Sequence, residues 1–520
     1  MKMTRHFFNI KIMLAGSLLI LSATATAQVQ TVSDSIWLFR PAQADYWQTV
    51  GSVTGLVSYP VSNTGMFSLA GHLEDGGLRQ AQVPQQHRDV TFSTTGIRTL
   101  QRFRVYGKFT YQRSSQDSLS WSLMGMPDHT RPFYYAAGKA GSFERQLYDI
   151  SGRVAYTLKE NRLFVGSGVE YLYNTAHRSE DPRPSVKNFS LVLKPELSWQ
   201  KGRHVAGIMA QWGYGYESNS IKYINSRYQN NYDSYPERRT WLMMGMGYMQ
   251  PRASNSQQMD VRVRILGGAL HHVYNGVDWQ WKNSLAWERR KDKYGSPSST
   301  SVRDLEWAAY TLDNYRLNIS AAKGLQHTVR LEAMHSTGND FNVFTGSPLL
   351  PALNAQNYRY RFSSVLLDYG KTGIKGIGWG TTLQWQQSDR KDFVTAHSLR
   401  YTHLTPMIFG ELYGGKSFYL QLKGGVRWPM STSVNILPTQ RTAFSTEVVY
   451  RDYYYWSSTT GILQLNANYI NRKIIAKMPA GVGLKIAYDR LLQEAERMVT
   501  DVPEIGPYRI QGELSFSFYL

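Results

Sequence analysis

The chain has 520 residues, with 58 Lys and Arg against 38 Asp and Glu, a net charge of +20, 35 Tyr, 14 Trp, 20 Phe, 43 Gly and no cysteine. Without cysteine there is neither a disulfide framework nor a thiolate zinc site. After residue 27 no run of ~18 apolar residues occurs, which excludes a spanning helix. No zinc-finger, RNA-recognition or basic-zipper pattern accompanies the positive charge, so nucleic acid is not an expected partner.

Lys2, Arg5 and Lys11, the apolar stretch Ile12 to Leu21 and the small residues Ala25-Thr26-Ala27 have the form of a cleavable export signal. Residues 1–27 are therefore expected to be removed, leaving Gln28 first and +17 on the mature chain. Residues 28–46, broken at Arg40-Pro41-Ala42, do not alternate and are expected to be a short segment tucked into a lumen.

From residue 47 onward the pattern is period two. Leu163, Val165, Val169, Tyr171 and Tyr173 alternate with Gly166, Gly168 and Glu170, and Phe189 to Trp199 continues the theme, with Pro195 expected to mark a bulge. Val261, Val263 and Ile265 interleave with Arg262 and Arg264, and Val329 and Leu331 with Arg330 and Glu332. Phe418 to Trp428 sets Lys423 and Arg427 against an apolar face. Such dyad strands of ~10 residues are the signature of a transmembrane β-barrel, lipid-facing on one side and lumen-facing on the other. Turns are expected at Glu160-Asn161, Lys201-Gly202, Lys323-Gly324, Lys371 to Gly373 and Gly414-Gly415. Longer polar loops are expected at 175–186, 218–239, 291–303, 336–356, 429–441 and 495–507. The fold class is all-β: a transmembrane antiparallel up-and-down barrel of roughly 16–20 strands, even in number, with short periplasmic turns and longer extracellular loops.

The last strand, Tyr508 to Leu520, closes the argument. It carries Leu514, Phe516 and Phe518 on one face and Arg509, Gln511, Glu513, Ser515 and Ser517 on the other. Phe516 and Phe518 are the expected assembly strand, facing lipid at the seam and read by the barrel-assembly machinery. With the leader, the aromatic dyad strands and the terminal Phe516-x-Phe518, residues 47–520 resemble the large outer-membrane β-barrel families of Bacteroidota-type Gram-negative bacteria, several of which have no assigned function. Barrels of that class end on Phe, whereas this chain ends Tyr519-Leu520. The resemblance implies residence in the cell outer membrane, among outer-membrane lipid and lipopolysaccharide.

No catalytic, cofactor or metal set is expected. In outer-membrane phospholipases a catalytic His and Ser stand two apart on a strand; here His335 and Ser336 are adjacent and should diverge. His271 and His272 diverge for the same reason. The cluster Tyr450 to Trp456 reads as an interfacial girdle between strands, and Gly245 and Gly247 as strand glycines. The loop tyrosines Tyr223, Tyr228, Tyr232 and Tyr235 offer aromatic faces for a glycan.

Two readings of function stay open. In the first, the barrel is a pore or transporter for small polar or anionic solutes, with Arg262, Arg264, Arg330, Lys423 and Arg427 facing the lumen. The second is a non-conducting barrel acting as surface adhesin, scaffold or partner subunit. A third, a lipid hydrolase, requires His335 and Ser336 to converge.

Overall fold

The computed structural model describes residues 52–58 and 63–520, apart from residues 161, 230–232, 253–255, 297–304, 324–325, 345–352, 374–375, 415–416 and 476–477. The expected leader and the 28–46 segment lie outside the described residues. The period-two segments pair edge to edge in chain order. The first part of the chain forms β1 (Asn63–Gly76), β2 (Gln86–Leu100), β3 (Phe103–Leu119), the short β4 (Phe133–Ala136), β5 (Gly141–Lys159), β6 (Leu163–Arg178), β7 (Arg183–Lys201) and β8 (His204–Lys222). Two short strands follow, β9 (Trp241–Met244) and β10 (Met249–Pro251), then β11 (Ser256–Asn275), β12 (Trp279–Ser296), β13 (Leu305–Lys323), β14 (His327–Phe344) and the short β15 (Leu353–Ala355). The last are β16 (Tyr358–Thr372), β17 (Ile377–Asp392), β18 (Ser398–Gly414), β19 (Phe418–Asn435), β20 (Thr459–Ile475), β21 (Met478–Gln493) and β22 (Tyr508–Tyr519).

The long strands form a closed antiparallel barrel of 18 staves. Its seam joins β22 to β1, with Phe516 opposite Leu69 and Phe518 opposite Phe67. Closure leaves no unpaired edge in hydrocarbon, the condition a bilayer sets for a sheet. Phe516 is 46% exposed on the outer wall, beside Leu514 and Ile510. Outward aromatics such as Trp199, Trp281, Trp379, Trp212 and Tyr315 belong to the same wall. The barrel is thus of the kind that outer membranes hold.

The short breaks between strands fall where tight turns are expected, at one end of the barrel, and the number of long strands is even. The long-loop end differs from the expectation. Strands continue through 175–178, 183–186, 291–296, 336–344 and 429–435, because ladder pairing goes on past the bilayer where water replaces lipid outside. Pro195 makes no bulge: Leu193 pairs with Trp212 and Glu196 with Met209 in unbroken register, so the missing N–H simply interrupts the ladder. Pro406 does the same between Leu404 and Met407.

Two sets of residues occupy the lumen. Near the short-turn end, helix α1 (Val53–Ser58) buries Val53 and Leu56 against Ile97, Tyr106 and Ala155. Gly207 leaves room for it, since any Cβ there would collide with the Thr54 hydroxyl. At the long-loop end, β4, β9 and β10 form a small antiparallel sheet in the order β10-β9-β4, joined by helix α2 (Arg451–Ser457). Together they plug the barrel mouth. The Tyr450 to Trp456 cluster is therefore part of a lumenal helix and not a girdle: its ring faces pack on the barrel wall instead of on lipid.

Replacing Phe516 and Phe518 with Asp puts two charges on the lipid face, each costing less than the about 2 to 4 kcal/mol of an Arg or Lys at the midplane, and less again near the interface. Heat-resistant folded protein on unboiled gels should fall sharply. Normal yield of that variant would place the assembly determinant elsewhere.

Candidate functional site: a plugged lumen with two chambers

The plug is held by apolar packing and by carboxylates that take backbone N–H groups. Trp121, Phe133, Leu242, Met243, Met244, Phe444 and Val448 pack on wall residues Val261, Val263, Tyr294, Tyr310, Tyr358 and Leu399. Phe133 meets Tyr294 edge-on at 4.9 Å, and Trp121 meets Phe444 at 5.4 Å. A fully buried side chain of this size stabilises by about 1.5 to 3 kcal/mol. The turn between β9 and β10 donates the amides of Met246, Gly247 and Tyr248 to Asp392 Oδ2, each at 3.0 Å. Asp392 Oδ1 accepts from Val394 and Thr395 at 3.1 Å. Gly245 has φ +149°, and any Cβ on it would collide with that carboxylate. Gly245 and Gly247 are thus plug residues, not strand residues.

A buried ion cluster adds to the clasp. Arg131 of the plug contacts Glu217 at 2.9 Å, Asp292 at 3.2 Å and Asp128 at 3.3 Å, while Arg290 contacts Asp128 at 3.0 Å and Asp292 at 3.1 Å. Arg427, expected in the lumen, is there, but it serves the plug: it donates to the Tyr455 hydroxyl at 2.8 Å and to Thr460 Oγ1 at 2.8 Å, and stacks on Tyr455 and Trp456.

Arg262 and Arg264 are a correction. They lie exposed on the outer wall, on the face of Leu266 and Leu270, while Val261 and Val263 point inward. The rule that apolar residues face lipid holds only at bilayer height. At plug height the inside is a hydrophobic core and the outside is water, so the two faces exchange roles. Across the strand pair, Arg264 stands opposite Lys291 and Arg262 opposite Lys293.

Arg330 and Lys423 do face the lumen, in two different chambers. The first is a cavity of about 290 Å³ between helix α1 and the wall of β5 to β14. It holds Arg153, Lys194, Lys282, Arg316 and Arg330 against Glu170, Glu288 and Glu332. Arg153 and Lys194 share Glu170, the latter at 2.7 Å; Arg330 pairs with Glu332, and Gln211 donates to Glu288 at 2.7 Å. Cations stay in excess. The second chamber, about 940 Å³, lies between β1, β2 and the β16 to β22 side. There Lys423 and Lys485 face Glu74, Asp89, Asp368 and Glu513. The lumen is divided by sign, one side basic and the other acidic.

His335 and Ser336 do not converge. Ser336 points inward and donates to Asn314 Oδ1 at 2.7 Å. His335 points outward, its Nδ1 2.9 Å from Ser363 Oγ and its ring stacked on Tyr315. Among the described residues no carboxylate or amide bonds its other ring nitrogen. His271 and His272 also diverge; His272 meets His204 at 3.1 Å on the outer wall. In the long loop, Tyr223 donates inward to the Arg238 carbonyl at 2.7 Å, whereas Tyr228 and Tyr235 meet edge-on at 4.9 Å with Arg238 over Tyr228. Tyr232 lies outside the described residues. The plug was not foreseen from the sequence, although Leu123-Met124-Gly125-Met126 and Met243-Met244-Gly245-Met246 repeat one apolar pattern.

Burial pushes the His129 imidazole of the plug down to about 4, helped by Arg390 and opposed by Asp128. A depressed pKa means that the unfolded loop takes up the proton more readily, so plug docking is fully stable above pH 6.5 and weakens as pH falls toward 4. Proteolysis within residues 120–140 of the purified barrel should accelerate across that window, and His129→Gln should flatten the response. An unchanged pH profile in the variant would exclude His129 as its source.

Among solved structures, the chain is similar to the ferric preacinetobactin receptor BauA from Acinetobacter baumannii at 9% identity, covering 88% of this chain and 80% of that one, with a TM-score of 0.43. The ferric citrate transporter FecA gives 8%, 89%, 79% and 0.42, and the outer membrane transporter YddB from Escherichia coli 8%, 88%, 81% and 0.38. A search of curated proteins finds no match. A family model described as a family of unknown function, DUF6850, matches residues 53–520, and the chain belongs to that family.

Proposed function

We propose that this barrel is a gated conduit for small anionic or polar solutes, closed at rest by its inward-folded loops. The observation that carries the reading is the basic chamber beneath the plug, where five cations meet three carboxylates beside helix α1. A guanidinium-rich pocket partly desolvated by protein walls binds carboxylate and phosphate groups more strongly than an exposed patch does. The plug sits above this chamber, and its clasps are polar contacts that can break and re-form. The second reading, a non-conducting scaffold, draws on the continuous apolar core that the plug shares with the wall.

In planar bilayers the wild-type protein should show no steady current. Asp392→Ala removes the acceptor of five backbone amides and should weaken plug docking by about 3 kcal/mol, given about 1.5 to 3 kcal/mol for a hydrogen bond to a charged group and strong non-additivity. Brief openings with an anion-shifted reversal potential should appear. Cation selectivity would defeat the anion reading. Silence of both this variant and one lacking residues 241–251 would leave the scaffold.

The outward cations belong to the same picture. Arg264 and Lys291 stand opposite one another on the outer wall, a pairing that suits the phosphate of outer-leaflet lipid. Like charges directly opposite one another cost stability unless an anion joins them. Arg264→Gln with Lys291→Gln should reduce lipopolysaccharide phosphate co-purified with the barrel at least twofold. Equal phosphate content would remove lipid from the partners of this patch.

A further inference from the structure

We infer that the acidic chamber holds a divalent metal site built from His72, Glu74 and His87. His72 and Glu74 stand two apart on β1, so both point into the lumen, and His87 on β2 lies directly opposite Glu74 in the ladder. One ligand atom from each of the three lies within 4.8 Å of the others. The spacing of Glu74 and His87 is informative. Glu74 Oε2 is 3.7 Å from His87 Nδ1, too long for a hydrogen bond. It is near the ~3.4 Å that separates two ligands of a tetrahedral ion with bonds of about 2.0–2.1 Å.

The surroundings hold the Glu74 carboxylate in a metal-ready attitude. Arg509 and Gln511 both donate to Glu74 Oε1, the latter at 2.8 Å, so that oxygen is engaged and Oε2 is the one turned toward His87. The other nitrogen of His87, Nε2, faces Asp89 Oδ2 at 3.7 Å. At that distance the two are not hydrogen-bonded; a closer approach on metal binding would let Asp89 orient the ring. His72 sits between Asp89 on one neighbouring strand and Glu513 on the other. Two imidazoles and one carboxylate suit an ion of the zinc or copper(II) class over magnesium or calcium, which prefer all-oxygen sets. Three protein ligands leave a position open to water or an exchanging ligand, as expected for a site that loads and releases its ion inside a chamber. The site is independent of the basic chamber and of the anion reading.

The test is zinc chloride titration of the untagged, folded full-length barrel by calorimetry, with cobalt(II) absorption as a second readout. One zinc per chain should bind, reversed by a chelator. His87→Asn and His72→Asn should each weaken binding at least tenfold while unboiled-gel mobility stays that of the folded barrel. His204→Asn and His272→Asn, which remove the outer-wall histidine pair, should leave binding unchanged. Absence of saturable binding, or equal affinity in His87→Asn, or loss in the outer-wall variants alone, would overturn the assignment.

Discussion

A barrel of eighteen strands is too wide for its own inward side chains to fill, and that width governs everything inside it. An open lumen of this size would be an aqueous channel. Here two parts of the chain outside the barrel wall supply the missing contents: a plug from the long-loop side and helix α1 from the side of the short turns. What they leave unfilled becomes the two chambers. The chemistry of the protein is therefore set less by the wall than by where its fillings stop.

Both fillings are fastened in the same way. Asp392 takes three amides of the β9–β10 turn beside two of its own loop, and Asp452 of helix α2 takes Ala81, both with buried carboxylates. Glu196 receives the amides of Val53 and Thr54 at the start of helix α1. A loop folded into a protein interior carries backbone donors that water can no longer satisfy. A carboxylate can accept several of them at once, so one residue on a strand fixes a whole turn.

The class of fold was legible because alternation is a property of the strand itself: Leu514 to Phe518 declares its two faces without help from any neighbour. Arg330 and Lys423 were placed correctly for that reason. Arg262 and Arg264 were not, since the meaning of an apolar face depends on what lies beyond it, and the plug that changes that meaning is assembled from segments far apart in the chain. His72, Glu74 and His87 were missed because their proximity depends on hairpin register. The His72-x-Glu74 spacing was a visible signal, but nothing local named its partner across the ladder.

Helix α1 has a mechanical consequence. Only four residues separate Ser58 from Asn63, the first residue of the strand that closes the seam with β22. Any tension applied to the chain ahead of the helix reaches the barrel through α1 before it reaches β1. The bonds of Glu196 to Val53 and Thr54 then take the load ahead of the β1 ladder, and their loss would free one short helix and with it one wall of the basic chamber. A pull at that end would enlarge the chamber without unzipping the barrel.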